Sequence, residues 1–145
     1  MVPPRIVLDT NVLVAALRSS RGASHRLLRQ LGTGVFEHVI SVPLVLEYED
    51  ALKRPASGIP LSATDIDAVL DYICASGRRQ PIHFLWRPVL PDAHDDLVLE
   101  AAVNGECDAI VTFNTRDFRG ADRFGLAVLT PAALAAALTA TGGAP

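Results

Sequence analysis

Short unbroken apolar runs alternate along this chain with longer stretches whose apolar residues recur at helical spacing. Ile6, Val7 and Leu8 are consecutive and apolar, the pattern of a strand covered on both faces. The period then changes: Val12, Leu13, Ala16 and Leu17 fit one face of a helix, with Thr10 and Asn11 as starting residues. The same alternation continues. A helix over residues 24–31 precedes a strand over 36–40. Ser41 and Pro43 open a helix whose inner side is read as Leu44, Val45 and Leu46. Ile66, Val69, Leu70, Ile73 and Cys74 form a clean stripe on a helix over 62–76, with Ser62 and Asp65 as a capping box. Arg78 and Arg79 are read as cations at its C-terminal end, where the dipole favours them. Strands are expected over 81–85, 109–111 and 126–129, with helices over 97–103 and 132–139 between and after them.

Strands alternating with helices predict an α/β fold: a three-layer α/β/α sandwich around a central parallel sheet of four to five strands. The chain has 145 residues, enough for one domain with a proper core, expected over 1–141 and followed by a flexible tail over 142–145. Half the residues are apolar and a fifth are charged, as in soluble globular proteins. No apolar run reaches the ~20 residues of a membrane span. The opening Met-Val-Pro-Pro lacks the regions of a secretory signal, and Cys74 and Cys107 read as free thiols, so a cytoplasmic protein is expected.

The formal charge of −3 gives no global attraction for nucleic acid, so such a partner needs a local Arg patch. Arg18, Arg21, Arg26 and Arg29 supply one candidate, read either as a solvated helix face or as a phosphate-contacting surface. Trp86 is read as packing rather than base stacking.

The chemistry lies in the acids. Asp9, Glu47, Asp95 or Asp96, and Asp117 each fall just past the end of a predicted strand, the edge where open α/β sheets bind ligands. Carboxylates gathered there would repel and raise one another's pKa, which a divalent cation relieves. Oxygen-only ligation selects Mg²⁺ or Mn²⁺ over zinc, and such ions assist phosphodiester displacement. His94, within the acidic run, is read as a surface or supporting residue.

Leu-Asp-Thr-Asn-Val at 8–12, Glu47 near a helix start, Pro-Asp-Ala-His-Asp-Asp at 91–96 and Asp-Ala-Ile-Val-Thr-Phe-Asn-Thr-Arg-Asp-Phe at 108–118 together resemble the PIN domain. The variant looks like the VapC-like toxin of type II toxin–antitoxin modules. The resemblance runs from Arg5 to about Leu138. It implies a Mg²⁺-dependent endoribonuclease that forms homodimers and is inhibited by a small antitoxin. Asp9, Glu47, Asp95 and Asp117 would be its metal-binding acids. Thr10 or Asn11 would orient Asp9, and Thr112 and Asn114 would line the pocket. Many members carry Asp where Asn114 stands, leaving the fourth acid open between that position and Asp117. Asp96 stays open beside Asp95.

Two other classes compete. The first is a non-enzymatic binding module, either an inactive PIN-like fold or a receiver-like domain; a receiver would need a Lys at a late strand, whereas Lys53 is the only Lys. A haloacid-dehalogenase-type phosphatase would want Asp-x-Asp after the first strand, where Asn11 stands instead.

Overall fold

The computed structural model describes residues 2–83, 90 and 92–140. Its order is β1 (Arg5–Leu8), α1 (Thr10–Arg18), α2 (Ala23–Arg29), β2 (Glu37–Ile40), α3 (Val42–Lys53), α4 (Ala63–Ser76), β3 (Arg78–Arg79), α5 (Ala93–Asn104), β4 (Ala109–Val111), β5 (Ala127–Leu129) and α6 (Pro131–Ala140). The five strands pair in the order β3-β2-β1-β4-β5, and every pair is parallel. This is the α/β fold that the alternation predicted. Successive strand residues point to opposite faces, and Ile6, Val7, Leu8, Ala109, Ile110 and Val111 are all buried. Helices therefore cover both faces of the sheet centre.

The strand order places a topological switch at β1. The chain first builds outward through β2 and β3, then returns to add β4 and β5 on the other side. The crevice past the carboxyl ends of β1 and β4 is where such sheets accept ligands. The opposite edge is closed structurally. Arg5 Nε donates to Glu37 at 2.7 Å, its Nη1 donates to the Gly105 carbonyl at 2.9 Å, and its backbone N–H donates to Asp108.

Three expectations change. The third strand is Arg78–Arg79, paired with Val39 and Ile40, not the 81–85 run. Residues 81–83 form no strand, and 84 and 85 lie outside the described residues, as do Trp86 and the expected tail. An exposed edge strand has no apolar face to announce it, and charged side chains suit such an edge. Arg78 and Arg79 thus belong to the sheet, and Gly77 caps α4. On α3 the buried residues are Leu44, Tyr48 and Leu52, at i, i+4 and i+8, while Leu46 is exposed. Three consecutive residues cannot share one face of a helix. The Ser62 half of the expected capping box is present: Ser62 Oγ accepts from the Asp65 N–H. So are the inward Leu134 and Leu138 of α6. Both cysteines are free.

Candidate active site

Asp9 follows Leu8 directly and is itself the N-cap of α1, the role that sequence reading gave to Thr10 or Asn11. Its carboxylate is buried and fixed through both oxygens. Oδ1 accepts from the Thr10 N–H at 2.8 Å, and Oδ2 accepts from the Thr112 hydroxyl at 2.8 Å. Thr112 stands at the end of β4, so this second bond crosses the switch point. The Thr112 oxygen also accepts from Asn11 Nδ2 at 3.3 Å and from the Asn114 N–H at 3.0 Å. Asn11 Oδ1 in turn accepts from the Phe113 N–H at 3.3 Å. The start of α1 and the turn after β4 are thereby laced together around one carboxylate.

The site's electrostatics follow from burial and like charge. Burial raises the Asp9 pKa, against the hydrogen bonds from Thr112 and Thr10, and the Asp117 charge adds to the rise. Burial, then the charges of Asp9, Asp92 and Asp117, push the Asp95 carboxyl up to about 7, with His94 opposing. Asp9, Asp95 and Asp117 therefore sense one another across the edge. Asp117 is exposed on the 3₁₀ turn Thr115–Phe118, which Phe118 anchors in the core. Asn114 caps that turn and its side chain is exposed.

Glu47 is half-buried on α3, and its Oε2 lies 3.0 Å from His94 Nδ1. His94 thus bridges α5 to α3 beside the acids. Asp95 and Asp96, which spacing alone left open, diverge. Asp96 is fully buried, and its Oδ1 accepts from the Leu90 N–H at 2.9 Å, tying down the turn before α5. Asp92 caps that helix through the His94 N–H.

Two contacts escaped the sequence reading. The buried Tyr48 hydroxyl donates to the Leu8 carbonyl at 2.5 Å, steadying the peptide that precedes Asp9. Helical spacing from Leu44 to Leu52 marks Tyr48 as core, and a buried phenol needs an acceptor. The second is Phe113, half-exposed beside the site, which no periodicity flags.

The chain matches the family model described as PIN domain over residues 5–116. This protein belongs to the PIN domain family. Among solved structures, the PIN fold seen here is similar to the crystal structure of VapBC2 from Rickettsia felis bound to a DNA fragment from its promoter. The TM-score is 0.58 at 16% identity, covering 87% of this chain and 98% of that chain. No curated protein sequence matches the chain.

The donors gathered at the edge of this PIN domain are all carboxylate oxygens, which suit a hard divalent cation. Among the described residues, no three His, Cys, Asp or Glu side chains close into a formed metal centre. The fit rests on donor chemistry and on the Asp95 carboxyl, raised first by burial and then by the charges of Asp9, Asp92 and Asp117. A larger groove of about 520 Å³ lies between α3 and β3, but its walls are mostly apolar, with Arg79 as its charged residue and no carboxylate to hold a cation. Among the described residues, no helix is long and apolar enough to cross a membrane.

Proposed function

We propose that this PIN domain is a metal-dependent endoribonuclease, the toxin of a type II toxin–antitoxin pair, silenced by a small antitoxin protein. PIN domains are nucleases, which supplies the reaction class. The observation that carries the reading is Asp9, buried at the β1/β4 switch point and locked by Thr112, with Asp95 and Asp117 in electrostatic reach. Mg²⁺ or Mn²⁺ would be the cofactor, and Asp9, Asp95, Asp117 and Glu47 are the residues that would hold it. When bound, such an ion supplies an activated water and offsets charge on the phosphodiester.

The chain's own residues do the positioning. Thr112 and the Thr10 N–H fix the orientation of Asp9, leaving it little freedom to rotate away. Tyr48 anchors the preceding carbonyl. His94 holds Glu47. Burial and the neighbouring acids raise the Asp95 carboxyl to about 7, so holding a cation there would require it to give up a proton. A homodimer, a cytoplasmic setting and a single-domain unit over 1–141 complete the proposal. The antitoxin finds support in the likeness to VapBC2.

The test is cleavage of single-stranded RNA by the purified protein with Mg²⁺ or Mn²⁺ and with EDTA. Asp9→Asn is expected to abolish cleavage while changing stability by no more than about 1 kcal/mol, because it removes repulsion together with ligation. A variant that cuts as well as the parent sinks the site assignment. A parent that binds RNA but cuts none under any of these conditions favours a binding module.

A further inference from the structure

Beside the acidic edge, a second cleft of about 440 Å³ runs between α1 and α3. It begins at Thr10 and Asn11, the residues that flank Asp9, and its floor is small and apolar: Val14, Ala15 and Ala51. Arg18 and Arg54 stand at its far end, and Phe113 walls the near end. We propose that this cleft is the subsite for one nucleotide of a single-stranded RNA next to the bond that is cut, with its base stacked on Phe113 and its phosphate on Arg18. The proposal rests on the nuclease reading and extends it to substrate recognition.

Three observations carry it. The first is the exposure of Phe113, 49% of whose surface faces solvent beside an open cleft. Its backbone is pinned by Asn11, so the ring is presented from a fixed point. A flat exposed ring is a sequence-tolerant platform for a base. Secondly, Arg18 is ordered without losing its charge. Its Nε and Nη2 both donate to the neutral Ser57 carbonyl, at 2.8 and 2.5 Å. Arg54, by contrast, shares its charge with Asp50 one helical turn away. Arg18 is therefore the cation at the rim offered to an anion, which answers the acidic net charge of the chain. Of the four arginines read as a possible phosphate surface, Arg18 lines this cleft, while Arg26 lines a separate groove against α6. Lastly, the cleft is continuous with the Asp9 network through Thr10 and Asn11, so a strand lying in it passes the acids. Its volume lies in the range of small-ligand pockets. A base held in a duplex cannot reach such a wall, so the strand must be single.

The experiment measures binding of a fluorescein-labelled oligoribonucleotide in EDTA, so that no cleavage intervenes. Phe113→Ala is expected to weaken binding roughly 5- to 150-fold, the loss of one base–aromatic stack, and Phe113→Trp to restore it. Replacing one nucleotide at a time by an abasic ribose should weaken the parent at one position and leave Phe113→Ala unaffected there. Arg18→Met should reduce the slope of log affinity against log salt by about 0.7, one phosphate contact on a single strand. Equal binding by parent and Phe113→Ala, no binding by the parent, or no sensitive abasic position overturns the subsite. An unchanged salt slope overturns the role of Arg18. Loss of binding to a protein partner, with RNA binding intact, reassigns the cleft to protein docking and equally overturns it. A parent that binds RNA through Phe113 yet cuts none defeats the nuclease reading, and sustains the cleft as a nucleotide-binding site without a scissile bond beside it.

Discussion

Asp95 is a carboxyl held near its titration point by burial and by three neighbouring acids. The linkage has a definite sign. A carboxyl raised from 3.8 to about 7 on folding leaves the native state holding a proton that the unfolded chain has released. Its contribution to stability is therefore full below pH 3.8 and is lost as pH rises toward 7. Asp95→Asn should remove that slope. In EDTA, the gap in melting temperature between variant and parent is expected to widen in the variant's favour from pH 4 to 7 and then level. Parallel melts over this range check it, and a constant gap would remove Asp95 from the cluster. Spacing could nominate Asp95 and Asp96 but not choose between them. Adjacent residues on a helix point about 100° apart, and which one meets the crevice depends on how α5 is rotated against β1 and β4. Here Asp96 turned inward to hold Leu90, and Asp95 kept company with Asp9.

At the scale of elements, the junction of α4 with β3 shows how closely the outer strand is fitted. The helix ends at Gly77, whose N–H donates to the Ile73 carbonyl. That carbonyl also accepts from the buried His38 ring of β2 at 2.9 Å. A methyl group on Gly77 would lie 2.7 Å from His38 Nε2 and 2.9 Å from the Ile73 oxygen. The neighbours are a pinned ring and backbone, so neither can yield cheaply. Gly77→Ala should destabilise the fold by about 1–3 kcal/mol, read by urea denaturation, with cleavage lost only through unfolding. The helices over 62–76 and near 132–139 were legible because their apolar stripes are local facts of the chain. The strand Arg78–Arg79 was not. It exists because Val39 and Ile40 present unpaired backbone groups, and nothing within the two arginines records that partner.

For the molecule as a whole, repelling acids at one sheet edge are a cost that the proposed cation would offset. Whatever binds the native state and not the unfolded one raises stability by mass action. Mn²⁺ at about 100 times its dissociation constant should add about 2.7 kcal/mol, a rise of several degrees in melting temperature, reversed by EDTA. Asp9→Asn should lose most of this rise. Calorimetry on both proteins checks it, and an equal shift in the two would place the ion elsewhere.

The alternation of apolar runs and helical stripes determined by itself that this chain is a parallel α/β fold, because burial on two faces and helical periodicity are written in neighbouring residues. The order β3-β2-β1-β4-β5, the Thr112 bond to Asp9, the Tyr48 bond to Leu8 and the cleft under Phe113 were decided only by the tertiary structure. Each joins positions about 40 to 100 residues apart or depends on how one element is turned against another, and such geometry is fixed by packing rather than by local preference.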